Sequence, residues 1–391
     1  MVIEAGSEQT DQRRIRLGMV GGGQGAFIGA VHRIAARLDN HFELVAGALS
    51  SDPVRAKASA AELGIAADRA YGTFEEMAAA EAARADGIEA VAIVTPNHMH
   101  APVARAFLKA GIHVICDKPL TTTVAEAKEL VELVKATGKV FVLTHNYTGY
   151  PMIRQARAMI ARGDLGDIRL VRAEYLQDWL TEPLEATGQK QAEWRTDPSR
   201  SGAGGCIGDI GTHAYNLACF VTGLELDALL AQLSTFVDGR RLDDDVQILL
   251  KWKGGAKGML WASQVAVGNE NGLTLRVYGT KGGLEWAQEN PNLLWFTPYG
   301  QPKQQLTRGG AGALTDASRV TRIPSGHPEG YLEGFATIYA EAAQAIRAKQ
   351  AGKTLDPAVI LPTVEDGLAG LKFIDAAVSS SANHGTWVRI T

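Results

Sequence analysis

Cysteine is scarce: Cys116, Cys206 and Cys219 are the only three among 391 residues. Their number and spacing exclude a disulfide framework and a cysteine zinc site, and they read as small buried hydrophobes of a reducing compartment. Long apolar runs are also missing, since no stretch reaches the roughly 18 uninterrupted apolar residues of a membrane helix. The N-terminus, 1–11, is polar and acidic and lacks the basic-then-apolar order of a secretory signal. Charge of one sign is not in excess. With 39 Lys+Arg against 43 Asp+Glu, the net charge is −4 and the basic residues are scattered. That balance gives no electrostatic ground for nucleic acid or an anionic membrane as partner. These absences lead us to expect a cytoplasmic globular protein with a frayed N-terminal tail.

What is present is a regular alternation. Short apolar strands are expected at 15–20, 42–49, around Tyr71, and at 89–94, 112–116 and 140–144, with helical segments between them. Such alternation predicts an α/β fold with a parallel, doubly wound sheet over 14–148. After Tyr150-Pro151 the texture changes. Strand-like segments follow at 168–176, 228–237, 246–252, 258–267, 273–278, 283–286 and 293–296, several of them divided by glycine turns. Helices are expected at 152–162, 210–221, 330–347 and 364–380, and 301–325 reads as a loop. The second domain, 149–391, is thus expected to hold a mainly antiparallel sheet.

Five stretches carry chemistry. Gly21-Gly22-Gly23-Gln24-Gly25-Ala26 follows the first strand, opens a helix and satisfies G-x-G-x-x-A. Gly21 permits the tight turn, Gly23 the approach of a pyrophosphate, and Ala26 close helix–strand packing, so Gly21, Gly23, Gln24, Gly25 and Ala26 form the expected phosphate cradle. The second strand ends without an acid. Ser50, Ser51 and Arg55 suit a 2′-phosphate, which favours NADP over NAD, although Asp52 is also within reach of a ribose. Thr95, Pro96, Asn97 and His100 follow another strand at the carboxyl edge of the sheet, where ligands bind. Asn97 is open to two readings, helix cap or cofactor contact. His98 and His100 lack a third clustered ligand, so no metal is expected. Finally, Cys116-Asp117-Lys118-Pro119 ends an apolar strand, and Asp209 and His213 stand four residues apart on one expected helical face. Lysine, aspartate and histidine are the groups needed to move a proton off a carbinol while its hydride leaves.

These motifs, together with Asn146-Tyr147 and the Gly204-Gly205…Asp209…His213 block, resemble those of the glucose–fructose oxidoreductase / inositol dehydrogenase / MocA family from about Arg14 to Val388. The resemblance implies a Rossmann domain followed by an α/β domain whose large open sheet supports a homo-oligomer, dimer or tetramer. It implies an NAD(P)-dependent dehydrogenase or reductase acting on a sugar, sugar derivative or cyclic polyol. Lys118, Asp209 and His213 would be catalytic, with Asp209 orienting His213 and favouring its charged form; whether His213 or Lys118 is the formal base stays open. Thr95, Pro96, Asn97, His100, Asp117 and Lys118 would meet the cofactor. Tyr147, Asp178, Trp194 and Arg195 would border the substrate along with Lys118, Asp209 and His213. The segment 175–179 is similar to one in sugar-oxidising members such as levoglucosan dehydrogenase. Two departures stand out: Asp117 replaces the family's usual glutamate, and about three residues are inserted before Gly29-Ala30-Val31-His32. Two other activities fit the same scaffold, a redox-neutral sugar-modifying enzyme with retained cofactor and a dinucleotide-sensing regulator.

Overall fold

The computed structural model describes residues 13–391; the N-terminal tail read at 1–11 lies outside them. Five parallel strands form the first sheet: β1 (Ile15–Gly21), β2 (Phe42–Ala48), β3 (Ala90–Val94), β4 (His113–Cys116) and β5 (Phe141–Leu143), in the order β2-β1-β3-β4-β5. All five residues of β3, Ala90 to Val94, are buried, as expected of a strand covered on both faces. The chain reverses direction of winding between β1 and β3. Their carboxyl ends therefore frame the crevice where doubly wound sheets bind ligands. The strand expected around Tyr71 is not formed; Ala70 makes only an isolated bridge to Gly47.

The second sheet has nine strands: β6 (Ile168–Leu176), β7 (Leu226–Ser234), β8 (Asp245–Trp252), β9 (Lys257–Ser263), β10 (Gly272–Gly279), β11 (Gly282–Ala287), β12 (Leu293–Pro298), β13 (Gln304–Thr307) and β14 (Val388–Arg389). Their order is β13-β12-β11-β10-β6-β9-β8-β7-β14, antiparallel throughout except for the β6–β9 pair. Strand β13 and a helical turn at Thr315–Ser318 replace the loop expected at 301–325. Their polar sequence hides a strand that only pairs at an edge, with β12.

Period-two alternation sets the two faces of this sheet. On β6, Val171, Ala173 and Tyr175 point into a core shared with the helices Pro151–Ala161, Thr212–Thr222 and Val364–Ala382. The opposite face leaves Leu170, Leu249, Met259 and Trp295 exposed. The helix Tyr331–Gln350, which follows the second sheet in sequence, instead covers the first. Its Phe335, Ile338, Tyr339 and Ile346 share a core with Ile15, Leu17, Val31 and Phe42. Among the described residues no helix is long and apolar enough to cross a membrane.

Candidate active site

The glycine turn lies between β1 and α1 (Phe27–Leu38). Gly21 and Gly25 sit at φ +78° and +77°, a region that favours glycine. The close packing expected at Ala26 is provided by Gly29: a Cβ on Gly29 would come within 2.3 Å of Gly22 O. Ala26 is instead the N-cap of the helix. No side chain caps the first turn of α1, so its leading N–H groups are left for an anion. Gly25 presents bare backbone, since a Cβ there would meet nothing within 4 Å. A cavity of about 320 Å³ lies against the turn, lined by Gly23, Gly25, Phe27, Ser59 and Glu62 among others. These features fit a dinucleotide pyrophosphate. Gln24 is spent within the protein, for its N–H donates to Ser59 Oγ at 3.1 Å and its amide to Glu62. Ser59, buried under the turn, has no signature in the sequence.

At the end of β2 the residues serve α2 (Pro53–Glu62). Ser50 Oγ accepts from Asp52 N at 3.1 Å, and Asp52, the N-cap, accepts from Arg55 N at 2.9 Å. Ser51 and the Arg55 side chain remain exposed.

Across the crevice, Asn97 neither caps a helix with its side chain nor faces solvent. Its Nδ2 donates to Ser201 O at 3.0 Å, bridging to the second half of the chain. His100, expected at the cofactor, has both ring nitrogens turned to backbone carbonyls, Pro119 O at 2.7 Å and Thr95 O at 2.9 Å. It therefore braces the β3 and β4 loops against each other. Asp117 Oδ1 accepts from Lys118 N at 2.8 Å and Thr144 Oγ1 at 3.0 Å, which ties the β4 loop to the end of β5. The hydroxyl of Thr95 is buried without a protein partner.

The two halves meet at Asp209. Lys118 Nζ donates to Asp209 Oδ1 at 3.0 Å and to Asp209 O at 2.5 Å. Arg195 Nε and Gln264 Nε2 donate to Oδ2 at 3.2 and 2.9 Å. Burial opposes ionisation of this carboxyl, but Lys118 and Arg195 outweigh it and hold Asp209 well below the usual carboxylate range. Asp243, itself buried, accepts from Gly205 N and Ile207 N at 2.6 and 2.8 Å and so fixes the start of the Asp209 segment.

Asp209 does not hydrogen-bond His213. Ile207–Gly211 forms a π turn that runs into the helix Thr212–Thr222, and the carboxylate of Asp209 is taken up by Lys118, Arg195 and Gln264 instead of the imidazole. His213 sits instead among rings, 5.0 Å from Tyr147, 5.6 Å from His145 and 6.2 Å from Tyr175, centroid to centroid. Burial, then the charges of Lys118 and His145, push its pKa well below the ordinary value, against the weaker pull of Asp209. The imidazole expected in its charged form is thus neutral. His145 is likewise pushed down to about 3, by burial and by Lys118.

The remaining candidates lie at the margin. Trp194 has the Arg195 guanidinium over its ring at 4.3 Å, so one face is taken. Arg195 is further anchored to Gln191 Oε1 at 2.5 Å. Asp178 Oδ2 accepts from Gly268 N at 3.0 Å and thereby ties two loops together. Tyr175 enters the sequence reading only as part of the 175–179 segment, and Gln264 does not enter it. The inward phase of β6 signals Tyr175, whereas nothing local signals Gln264. Among the described residues no cluster of three or more His, Cys, Asp or Glu side chains is arranged to hold a metal.

This geometry can be set beside known proteins. Residues 15–156 match the oxidoreductase family with NAD-binding Rossmann fold, and residues 153–285 match the GFO/IDH/MocA C-terminal domain. The crystal structure of an oxidoreductase from Sinorhizobium meliloti is 61% identical, with 96% of this chain and 100% of that one covered and a TM-score of 0.88. An inositol dehydrogenase homolog from Azotobacter vinelandii, solved with NAD+, is 38% identical over 96% of this chain and 97% of its own, with a TM-score of 0.93. Levoglucosan dehydrogenase of Pseudarthrobacter phenanthrenivorans is 30% identical over 97% of this chain and 98% of its own length. The uncapped glycine turn and the two sheets therefore belong to one inherited plan, and the chain is a member of the Gfo/Idh/MocA family of NAD-binding oxidoreductases.

Proposed function

We propose that the chain interconverts a secondary alcohol and a ketone on a sugar, sugar derivative or cyclic polyol, within a nucleotide-binding domain at 14–148 and a substrate domain at 149–391. One observation carries the reading. Lys118 from the first half reaches Asp209 from the second at 3.0 Å, and its charge acts on the neutral His213. The relatives support the substrate class: the Azotobacter homolog has been solved with NADH and myo-inositol, and another relative is named for levoglucosan.

A bound nicotinamide supplies the hydride acceptor or donor. The backbone of Gly21, Gly23 and Gly25 and the first turn of α1 would hold the pyrophosphate. Thr95, Pro96, Asn97 and Asp117 border the nicotinamide end of the crevice. Ser51 and Arg55, exposed at the start of α2, favour NADP over NAD through their fit to a 2′-phosphate. In the oxidative direction His213 accepts the hydroxyl proton, which its neutral state permits. Lys118, fixed by Asp209, donates a hydrogen bond to the same oxygen and stabilises the developing alkoxide. Arg195 and Gln264 hold Asp209 in place. The exposed face of the nine-stranded sheet is the proposed homo-oligomer contact, to be read by light scattering.

The experiment is a panel of myo-inositol, D-glucose and levoglucosan with NAD and with NADP, followed by the absorbance of reduced nicotinamide. Turnover of at least one ring substrate is expected, faster with NADP. A chain that binds dinucleotide yet oxidises none, and reduces none of the matching ketones, removes the reading.

A further inference from the structure

A cavity of about 490 Å³ lies away from the nucleotide crevice, between the last turn of α1 and the helix Tyr331–Gln350. Asp39 and His41 line it on one side, Glu341 and Gln344 on the other, and Arg319 and Arg322 complete the lining. Twelve residues of α1 separate this end from the glycine turn, about 18 Å of helix. The cavity is therefore at the edge of the first sheet where β2 begins, opposite the carboxyl ends that frame the crevice.

Its charges do not cancel. Glu341 Oε1 accepts from Arg154 at 3.2 Å and from Arg319 at 2.6 Å, and its Oε2 accepts from Arg154 at 2.8 Å. One carboxylate thus answers two guanidinium groups. Asp39 answers Arg322 alone, which holds its two oxygens at 2.9 and 2.6 Å. Three cations against two carboxylates leave one positive charge over. Solvent meets it at Arg319, whose side chain is 21% exposed against 2% for Arg154. Arg322 is spent, since its remaining donors go to Thr337 Oγ1 at 3.1 Å and Glu333 O at 3.0 Å.

A guanidinium group only donates, and this fixes the direction of two further contacts. Gln344 Oε1 accepts from Arg319 Nη2 at 3.2 Å, which leaves the amide hydrogens of Gln344 for another partner. His41 Nδ1 lies 3.1 Å from Arg347 Nη1 and is the acceptor, so the ring proton sits on Nε2. Among the described residues nothing accepts from Arg319 Nε. The walls thus offer donors, while both carboxylates are already taken up. We propose that this cavity binds a small metabolite through a carboxylate or phosphate group, seated on Arg319, with the Gln344 amide and the His41 N–H completing its hydrogen bonds. Charge-assisted bonds to an arginine fork suit both oxyanions, and the volume is that of an ordinary small-molecule pocket. The site touches neither the glycine turn nor Lys118, so it stands or falls independently of the proposed function.

Calorimetric titration tests the assignment on protein saturated with NADPH and, in a second series, with NADH, so that the glycine turn is occupied. Citrate probes for a carboxylate, inorganic phosphate for a phosphoryl group, and glycerol is the neutral control. Salt is held at roughly 0.15 M KCl, where diffuse charge attraction is screened. Citrate or phosphate is expected to bind once per chain with Kd below about 1 mM. Binding of citrate alone identifies a carboxylate ligand, and of phosphate alone a phosphorylated one. Arg319→Gln should weaken binding about 10-fold or more, the scale of losing a charge-assisted bond. Arg154 still holds Glu341 in that variant, so no buried carboxylate is left alone. Gln344→Glu, at an exposed position, sets a carboxylate on Arg319, cancels the surplus charge and should weaken binding at least as much. Lys118→Met should bind the anion as the wild type does. No saturable binding of either anion, glycerol bound as tightly, equal affinity in the Arg319 and Gln344 variants, or binding lost in Lys118→Met overturns the inference.

Discussion

The cluster around Asp209 and the cluster around His213 lie against each other, yet they are built on opposite principles. Asp209 is surrounded by donors, from Lys118, Arg195 and Gln264, and is held ionised against the cost of burial. His213 is surrounded by rings, from His145, Tyr147 and Tyr175, and is held neutral by burial and by the lysine next door. The lysine serves both: it is the counter-charge of one cluster and adds to the burial that keeps the other uncharged. A site of this kind keeps a cation and an unprotonated base side by side without letting them share a proton through the carboxylate.

The strongest way to break the contrast is to delete one group from each side. Lys118→Met and His213→Ala should each lower turnover by about 10²–10⁴-fold, the range for loss of a general acid–base or charge-stabilising partner. Dinucleotide affinity, measured by fluorescence titration, should change little. Activity surviving in both variants would mean that the chemistry is elsewhere. Asp209→Ala is the next largest. It leaves two cations facing each other in a partly buried site, and we expect a loss of about 1–3 kcal/mol in urea unfolding, discounted from a fully buried pair because solvent reaches the groups. Stability equal to wild type would show that Lys118 and Arg195 find other partners.

Tyr175→Phe probes the neutral side. It removes the link between Tyr147 and Asn271 and should cost about 1–2 kcal/mol of stability, with kcat reduced far less than in His213→Ala. A pH slope is a further test. His145 and His213 titrate lower in the folded chain than in the unfolded one, so the unfolded chain binds more protons below pH 6.5, down to about 3 for His145. Their contribution is complete above about pH 6.5 and drains away as pH falls, at up to about 1.4 kcal/mol per unit for each group. Urea midpoints of the wild type should drop from pH 7 to pH 5 more steeply than those of His145→Asn, while the activity of the wild type shows no acid limb from His213 near its ordinary value. Equal slopes would show that His145 is not held neutral.

The sequence by itself determined what short-range physics encodes. Apolar runs followed by helical periods specified the parallel sheet, the glycines specified a turn open to phosphate, and the strand ending in Asp117-Lys118 specified an ammonium at the sheet edge. Tertiary structure alone decided which groups those side chains meet. Lys118 and Asp209 are 91 residues apart, Gln264 reaches Asp209 from a third segment, and the helix Tyr331–Gln350 crosses back to cover the first sheet. Donors brought from three other segments took up the carboxylate of Asp209, so it makes no hydrogen bond to His213 although their spacing had joined them. Periodicity reports which face a residue takes within its own element. Pairing and protonation depend on burial and on charges delivered from elsewhere in the chain, and these exist only once it has folded.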